Sequence, residues 1–384
     1  MRIAMLGTRG VPAHYGGFET AVEEIGRRLV ARGHEVTVYC RDTEDAASDH
    51  YLGMRLVHLR SWKGKAVETL SHTALSALHL LTHPRHDVAI VFNAANAPFL
   101  PLLRLSGTPV AVHVDGLEWR RAKWGAAGRR YYRWAESYCV RWADALIADA
   151  QGIADYYTDE FGAETELLSY GAPIQVAAGN DRIEELEVTS GGYHLVVARF
   201  EPENHVQEIV DGYRRSSARL PLVIVGSAPY ADAYTERIRR TAGPDPRVRI
   251  VGGVWDQELL DQLYAHCLTY LHGHSVGGTN PSLLRAMGAG THVLAYDVSF
   301  NREVLGEHGG YFAGPADLPA LLHAAELRPE LARERGALHR ARAAHRYDWL
   351  EVAAGYEQLC KKLESGHSIR HSADGRRRAS AGAV

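Results

Sequence analysis

The residues that could do chemistry are concentrated in one stretch, Gly273 to Gly290, which reads GHSVGGTNPSLLRAMGAG. Gly277 and Gly278 can adopt backbone angles that other residues avoid, Asn280 is a favoured helix N-cap, and Pro281 suits the first helical position. The pattern predicts a glycine loop that leads into a helix. A helix start presents unpaired N–H groups and about half a positive charge, which makes this stretch a candidate anion site. A turn that only joins a strand to a helix is the alternative.

A second glycine loop lies near the N-terminus, between a strand pattern and a helix pattern. Arg2 to Leu6 is a short apolar run, Gly16 and Gly17 follow it, and apolar residues from Glu19 to Ala31 recur on one helical face. The next stretch, GHEVTVYC, predicts a second strand. Together these elements predict a βαβ unit, whose parallel sheet binds ligands at the strand ends.

The length of 384 residues predicts two domains rather than one. The chain turns polar before residue 192, and a new buried-strand run, YHLVVARF, follows. The tail lacks apolar content, so we expect it to be disordered. The predicted divisions are an N-terminal α/β domain over residues 1–172, a linker over 173–192, a second α/β domain over 193–345, a crossover helix over 346–365 and the tail over 366–384.

Composition excludes several classes of protein. The formal net charge is −3, which gives no reason to expect a nucleic-acid partner. The four cysteines lack CxxC spacing, and none of the 21 histidines shows ligand spacing, so we expect no metal or other cofactor. No apolar stretch approaches the roughly 20 residues of a membrane helix. These features predict a cytoplasmic protein, at most peripheral at the inner face of the plasma membrane.

Four motifs stand in one order along the chain, GTRGVPAHYGGFET, VDGLEWRRAKWG, ARFEPENH and HSVGGTNPSLLRAMGAG. In this order they resemble a bacterial glycosyltransferase of retaining family 4, most closely its rhamnosyltransferase branch. The resemblance covers nearly the whole chain except the tail. It implies an α/β, GT-B fold with two Rossmann-like domains facing across a cleft. It also implies a nucleotide-sugar donor, dTDP-rhamnose, and a glycan or polyprenyl-diphosphate-linked acceptor.

A transferase that breaks a sugar–diphosphate bond must stabilise the charge that develops on the departing diphosphate. Arg199 follows the first strand of the second domain, and its guanidinium fork suits diphosphate oxygens. An ion pair with Glu201 or Glu203 is the alternative role for Arg199. The two glycine loops supply the other donor contacts. The predicted donor-binding residues are Gly16, Gly17, Asn204, Gly277, Gly278, Thr279, Asn280, Pro281, Ser282 and Arg285.

The chain departs from the family pattern at three of these positions. Asn204 replaces a lysine that contacts phosphate, and His205 or backbone N–H groups could substitute for it. Gly277 and Arg285 replace two glutamates that hold the donor sugar and the nucleotide ribose. The hypothesis for Arg285 is that it moves a contact from ribose to diphosphate, and the alternative is that it points to solvent. The departures also leave open a non-catalytic relic that binds nucleotide or glycan without turnover.

His113 and Asp115 end the strand pattern VAVHVD. The resemblance places this region near the reacting carbon of the donor sugar and makes both residues catalytic candidates beside Arg199. A carboxylate there could support positive charge on an oxocarbenium-like transition state, and an ordinary turn is the alternative. No covalent nucleophile is evident. The resemblance implies same-face attack, in which the leaving phosphate helps to remove the acceptor proton.

Arginines and aromatic residues alternate from Arg120 to Trp142. Such a mixture suits a membrane interface and a lipid-diphosphate acceptor. A core-packing helix with a solvated basic face is the alternative. The residues predicted as acceptor or membrane contacts are Trp119, Arg120, Lys123 and Trp124.

A NAD-dependent oxidoreductase would also be built from βαβ units. Against it, the first loop, Gly7-Thr-Arg-Gly10, is not GxGxxG. The second strand ends in Tyr39-Cys40-Arg41, without the acid that binds a ribose. The sequence therefore favours the transferase.

Overall fold

The computed structural model describes residues 1–13, 16–42, 48–62, 64, 67–114, 116–174, 179–227 and 232–369. It divides the chain into two compact units. The first contains Met1–Tyr170 and the chain from Trp349 onward, and the second contains Gly171–Asp348.

Over its described residues the first unit is built on an eight-stranded sheet. Its strands are β1 (Arg2–Leu6), β2 (Glu35–Arg41), β3 (His50–Tyr51), β4 (Met54–Leu59), β5 (Val88–Phe92), β6 (Val110–His113), β7 (Ala145–Ala148) and β8 (Glu166–Leu167). The order across the sheet is β3-β4-β2-β1-β5-β6-β7-β8, and only the β3–β4 pair is antiparallel. β5 is apolar throughout and β6 is apolar up to His113, and both are fully buried, as expected for parallel strands covered on both faces.

The helices of the first unit connect these strands, and the last one returns from the far end of the chain. They are α1 (Gly17–Ala31), α2 (Val67–Thr82), α3 (Leu100–Leu105), α4 (Ala126–Trp142), α5 (Gln151–Phe161) and, after the second unit, α13 (Trp349–Glu364). The Trp349 ring of α13 lies 5.7 Å from the guanidinium carbon of Arg28 on α1. Glu357 of α13 accepts a hydrogen bond from Arg32 at 3.0 Å and lies 3.1 Å from a ring nitrogen of His34. These contacts join α13 to the first unit.

The second unit repeats the same construction with six parallel strands in its described residues. The strands are β9 (His194–Val197), β10 (Leu222–Val225), β11 (Val248–Gly252), β12 (Thr269–His272), β13 (His292–Tyr296) and β14 (Gly310–Phe312). The helices are α6 (Val206–Arg214), α7 (Asp232–Ala242), α8 (Gln257–His266), α9 (Pro281–Gly288), α10 (Ser299–Leu305), α11 (Leu318–Leu327) and α12 (Pro329–Arg346). The strand order is β11-β10-β9-β12-β13-β14.

The strand order of the second unit changes direction between β9 and β12. β9 is flanked by β10 on one side and β12 on the other, and Thr269 and Tyr270 of β12 pair with His194 and Leu195 of β9. In open parallel sheets, ligands bind outside the carboxyl ends of the strands at such a switch point. The two loops that follow β9 and β12 are therefore the expected ligand-binding loops of the second unit.

Several predicted boundaries move in the structure. The later part of the predicted linker is packed in the second unit, because Asp181 accepts a hydrogen bond from Gln262 and Arg182 forms an ion pair with Asp256. The crossover helix starts at Trp349 rather than at residue 346. Residues 366–369 of the predicted disordered tail are described: Ser368 donates a hydrogen bond to Asp144 at 2.8 Å. The rest of that tail lies outside the described residues.

Candidate active site

Two loops leave the same edge of the second sheet. β9 ends at Val197, two residues before Arg199, and β12 ends at His272, next to Gly273. Gly273 approaches the other loop so closely that a Cβ on it would lie 2.0 Å from the carbonyl oxygen of Asn204. Only glycine can occupy this position without displacing the neighbouring backbone. The structure thus brings together the Arg199 loop and the glycine loop, which are more than 70 residues apart in sequence.

The glycine loop ends in a capped helix, as predicted. The Asn280 side-chain oxygen accepts hydrogen bonds from the Ser282 N–H at 2.9 Å and the Ser282 hydroxyl at 2.7 Å, and Pro281 occupies the first turn of α9. The Tyr270 hydroxyl donates to Ser282 Oγ at 3.2 Å. The N-cap prediction is confirmed. Because the Ser282 N–H is taken by the cap, a donor oxygen must compete with Asn280 for it.

Gly277 explains part of the shape of this loop. Its φ is 140°, a region that L side chains rarely adopt, and a Cβ would lie 2.9 Å from His274 Nε2. The family glutamate that the resemblance expects here would be strained on this backbone and would displace the His274 ring. The donor-sugar contact of that glutamate must therefore come from another group or be missing.

Asn204 holds the two loops together. Its amide nitrogen donates to the carbonyl oxygen of Arg199 at 2.8 Å, and its side-chain oxygen accepts from His274 Nδ1 at 2.8 Å. The side chain is buried. In the place of a phosphate-binding lysine, this chain therefore has a side chain whose oxygen and one N–H already serve the protein. We therefore predict that Asn204 acts on the donor indirectly, because it positions the Arg199 loop and the glycine loop.

His205 is the next residue and has an unusual backbone. Its φ of 47° is left-handed for a residue other than glycine, a conformation that costs energy and often marks functional sites. The ring stacks on Tyr296 with centroids 4.0 Å apart, and Nε2 lies 2.9 Å from Ser275 Oγ. The His205 ring is thus held between Tyr296 and Ser275. The sequence analysis did not identify these two residues, or the His274 that bonds Asn204, as part of the site.

Arg199 keeps a substantial part of its side chain in contact with solvent. The side chain is 41% exposed, and Nη1 lies 4.0 Å from Glu201 Oε1. At this distance and exposure the ion pair is weak. The contact with Glu201 that sequence analysis offered as an alternative exists, but it leaves the guanidinium accessible to an anion.

Arg285 follows neither of its two predicted orientations. Its Nε lies 2.9 Å from Asp261 Oδ1 on α8, and its guanidinium carbon lies 5.9 Å from the centre of the Tyr264 ring. The side chain is 23% exposed. The charge of Arg285 is therefore directed at a carboxylate of the protein, rather than at open solvent or a free anion site.

The first glycine loop is stabilised by an acid of the following helix. Gly16 has a φ of 112° and precedes α1, and its carbonyl accepts hydrogen bonds from the N–H and hydroxyl of Thr20. The Glu19 carboxylate accepts from the Arg9 N–H at 3.1 Å. The strand, loop and helix are thus as predicted, while a donor contact of Gly16 and Gly17 remains a prediction.

His113 ends β6 inside a group of aromatic rings. Its ring lies 5.2 Å from Phe18, 5.7 Å from Phe92 and 5.8 Å from Tyr170, and it is 1% exposed. Burial lowers the pKa of His113 to about 3, so the ring is neutral at pH 7. A proton-carrying role at neutral pH is therefore disfavoured. Asp115, the other catalytic candidate of this region, lies outside the described residues.

Two protein-family models match the chain, one after the other. The model described as "Glycosyl transferase 4-like domain" matches residues 16–171, and the model described as "Glycosyl transferases group 1" matches residues 180–331. The chain belongs to the GT-B glycosyltransferases. The prediction of a nucleotide-sugar-dependent transferase is confirmed at this level, and its rhamnosyl branch stays a prediction.

Solved structures share the fold of this glycosyltransferase. Sucrose-phosphate synthase from Thermosynechococcus elongatus matches 95% of this chain and 99% of its own, with a TM-score of 0.80 and 21% identity. Anabaena HepE in complex with UDP-glucose matches 95% of this chain and 100% of its own, with a TM-score of 0.75 and 15% identity. The predicted pair of Rossmann-like α/β domains is confirmed.

A curated relative is similar over a shorter region. The O-antigen chain mannosyltransferase B of Escherichia coli is 24% identical to this glycosyltransferase over 143 residues. The match covers 36% of this chain and 37% of the relative. The chain thus matches little more than a third of that enzyme's length.

Two of the four residues predicted as acceptor or membrane contacts, Lys123 and Trp124, contact a buried acid of the glycosyltransferase. Glu118 accepts a hydrogen bond from the Trp124 indole at 3.2 Å and pairs with Arg121 at 2.7 Å and with Lys123 at 3.5 Å. Although burial opposes it, the neighbouring Arg121 and Lys123 charges hold the pKa of Glu118 below its ordinary value. Lys123 and Trp124 therefore have a structural partner, which weakens the prediction that they bind acceptor.

The other two residues of that prediction form a cation–π stack. The guanidinium carbons of Arg120 and Arg133 each lie 5.1 Å from the Trp119 ring. No helix among the described residues is long and apolar enough to cross a membrane. Within the same residues no group of three or more His, Cys, Asp or Glu side chains could hold a metal ion.

Proposed function

We propose that this glycosyltransferase is a retaining enzyme that moves L-rhamnose from dTDP-rhamnose to a glycan or lipid-linked glycan acceptor. The observation that carries the proposal is the carboxyl edge of the second sheet. There the accessible guanidinium of Arg199 and the capped start of α9 belong to loops that are joined through Asn204. A guanidinium and a helix N-terminus are both groups that bind diphosphate.

The chemistry requires that charge be stabilised on the departing diphosphate. Arg199 supplies a positive charge, and the start of α9 supplies backbone dipoles that are already aligned, with the Ser282 N–H shared between Asn280 and the donor. In the proposed same-face attack the leaving phosphate takes the acceptor proton, so no side chain is needed as general base. A neutral His113 is consistent with a mechanism that uses no side chain as general base.

The donor is the most specific part of the proposal. It is supported by the GGTNPS form of the glycine loop, which resembles the rhamnosyl branch. Structurally similar proteins have been solved with UDP-glucose and with UDP-2-fluoro glucose, and the curated relative is named a mannosyltransferase. UDP- and GDP-linked sugars are therefore the competing donors in any test.

A non-catalytic, nucleotide-binding member of the family is the second candidate. It is favoured by two observations at the positions where the chain departs from the family. Asn204 is occupied in joining two loops, and Arg285 is paired with Asp261. If nothing replaces the missing lysine and glutamates, the site retains affinity for a nucleotide without turning over the sugar.

Donor turnover distinguishes the two candidates. The purified chain is incubated with dTDP-rhamnose, UDP-glucose or GDP-mannose and a polyprenyl-diphosphate-linked glycan, and the released nucleoside diphosphate is measured. We expect release from dTDP-rhamnose, and proton NMR of the product should show the anomeric configuration of the donor. Release only from another donor would reject rhamnose, and inversion would reject the retaining mechanism. Binding without release from any donor would support the non-catalytic candidate.

A further inference from the structure

Three strand ends of the second unit converge on the ring of His205. The residue lies in the loop after β9, and its Nε2 lies 2.9 Å from Ser275 Oγ in the loop after β12. Its ring stacks on Tyr296, the last residue of β13, with centroids 4.0 Å apart. These strands run parallel, so all three segments lie at the carboxyl edge of the sheet. The ring is therefore at the edge on which the diphosphate is proposed to bind.

The backbone of His205 fixes the ring in this place. Its φ of 47° and ψ of 29° are left-handed, and its carbonyl accepts a hydrogen bond from the Ile209 N–H of α6 at 2.9 Å. Such a conformation costs energy at a residue other than glycine and persists where the surrounding contacts hold it. The preceding residue, Asn204, is used to join the two loops. His205 is thus the adjacent side chain that could supply the charge of the missing lysine.

A carboxylate lies at the other ring nitrogen. His205 Nδ1 is 3.5 Å from Oε1 of Glu208, in the first turn of α6, and the two side chains are 19% and 39% exposed. The contact with His205 holds the pKa of the Glu208 carboxyl below its ordinary value, although burial opposes this shift. The face of an aromatic ring such as Tyr296 also attracts a positive charge. The surroundings of the His205 ring can therefore accommodate an imidazolium.

Ser275 is the part of this group that belongs to the glycine loop. Its N–H donates to the Glu203 carbonyl at 2.9 Å, and its hydroxyl lies 3.2 Å from the same oxygen. The residue is half-buried and lies between Gly273, which closely approaches the Asn204 carbonyl, and Gly277, whose φ is 140°. Because the Ser275 N–H already serves the Glu203 carbonyl, the hydroxyl proton can turn to a ligand without leaving that carbonyl unpaired.

Two proton arrangements satisfy the contact between His205 and Ser275. With a neutral ring, the Ser275 hydroxyl donates to Nε2 and is not available to a ligand. With a protonated ring, Nδ1–H is directed at Glu208 and Nε2–H donates to Ser275 Oγ, so the hydroxyl proton is released for another acceptor. A diphosphate oxygen is such an acceptor, and its negative charge favours the second arrangement.

We propose that Glu208, His205 and Ser275 form a hydrogen-bond relay that presents a polarised hydroxyl donor, supported by an imidazolium charge, to the diphosphate of the nucleotide sugar. The relay replaces the phosphate-binding lysine whose position Asn204 occupies. It donates hydrogen bonds and transfers no proton, so it adds no general base to the mechanism. The inference rests on the proposed function, since the ligand is a sugar diphosphate, and deepens it by assigning a second positive charge beside Arg199.

The test is calorimetric titration of the full chain with dTDP, UDP and GDP, each compared with its nucleoside. Ser275→Ala should weaken binding of the preferred diphosphate by about 10-fold or more, because the lost hydrogen bond goes to a charged group, and should leave nucleoside binding unchanged. His205→Asn suits the left-handed backbone and removes the charge, so we expect a loss of similar size. The double variant should lose little more than either single one, because the two side chains act as one unit.

Glu208→Gln tests the sign of the effect. A carboxylate near a phosphate site repels the ligand, so its removal should tighten binding unless the carboxylate acts through His205. We expect Glu208→Gln to weaken binding of the diphosphate by about 2- to 5-fold. The matched control is Glu201→Gln, whose carboxylate lies 4.0 Å from Arg199, and it should tighten binding or leave it unchanged. His205→Lys keeps a positive charge and should retain more affinity than His205→Asn.

Thermal unfolding confirms that each variant is folded. Equal losses for nucleoside and diphosphate in Ser275→Ala would show that Ser275 only shapes the loop. Tighter binding in Glu208→Gln, additive losses in the double variant, or no diphosphate binding by the wild type would also overturn the relay. Donor turnover is measured in parallel with the same variants. Relay-dependent diphosphate binding without turnover would reject the proposed function alone, and turnover that is insensitive to Ser275 and His205 would reject this inference alone.

Discussion

The imidazole of His274 donates a hydrogen bond from Nδ1 to the side-chain oxygen of Asn204, 70 residues away in sequence. Through the same amide group, Asn204 also donates to the carbonyl of Arg199. The buried side chain of Asn204 thus connects the backbone of Arg199, the residue proposed to bind the diphosphate, to the glycine loop.

Asn204→Lys, which restores the family residue, should impair rather than improve the enzyme. The substitution removes both hydrogen bonds and places an ammonium group in a buried position. We expect a loss of about 1–3 kcal/mol in the free energy of unfolding. Urea unfolding and donor turnover measure the two effects, with Asn204→Asp as the comparison that keeps the acceptor for His274. Faster turnover in the lysine variant would show that Asn204 is a defect rather than a replacement.

Arg199→Ala should lose donor turnover while the fold remains intact. A charge-assisted contact with a diphosphate contributes roughly 1.5–3 kcal/mol, which corresponds to about a 10- to 150-fold loss in kcat/KM. Arg199→Lys should retain part of the activity, because it keeps the charge without the fork. The matched control is Arg239→Ala, an exposed arginine of α7. Near wild-type rates in Arg199→Ala would remove this residue from the site.

Arg285→Ala should leave the affinities for a nucleoside and for its diphosphate close to those of the wild type, because the guanidinium is paired with Asp261. The pair is partly exposed, so we expect a stability change of about 1 kcal/mol or less. Arg285→Glu combined with Asp261→Asn should tighten nucleoside binding about 2- to 10-fold by restoring a ribose acceptor. Calorimetric titration measures these affinities. A loss confined to the diphosphate in Arg285→Ala would support the sequence-based hypothesis instead.

The enzyme should lose stability in mild acid. Burial lowers the pKa of several histidines in the described part of the chain, and the largest shifts fall on five of them, to about 4 for His72 and His339 and to about 3 for His113, His272 and His292. In the unfolded chain each titrates near 6.5. Below that pH the unfolded chain binds more protons, so the free energy of unfolding falls by up to about 1.4 kcal/mol per pH unit for each histidine.

Glu136 acts in the opposite direction. Burial raises the pKa of its carboxyl to about 7, so it stabilises the fold as pH falls from 7 toward 4.5, but it is one group against five. We expect Tm to fall steeply below pH 6.5. His292→Phe should flatten this dependence, and the exposed control His345→Phe should not. An equal slope in the wild type and His292→Phe would contradict the assignment.

Truncation should have different effects at two nearby positions. Ending the chain at Ile369 preserves the bonds of Ser368 and Ile369 to Asp144, so Tm should not change. Ending it at Ser365 removes those bonds and should lower Tm by a few degrees. Differential scanning fluorimetry compares the two, and equal Tm values would show that residues 366–369 do not stabilise the first unit.

The sequence alone determined the features that depend on local pattern. The alternation of buried strands and amphipathic helices predicted two α/β domains, and the Gly277, Asn280 and Pro281 spacing predicted the loop and start of α9. These inferences succeed because glycine conformation, N-capping and helical periodicity are set by residues within one or two turns of each other.

The tertiary structure decided the partners of the charged and polar side chains. Arg285 meets Asp261, Asn204 joins Arg199 to His274, and Glu357 returns from α13 to Arg32, 325 residues earlier. His113 is enclosed by rings from separate elements. Such contacts follow from the order of strands in each sheet and the faces on which the helices pack. That order is a property of the folded chain, and no local pattern in the sequence specifies it.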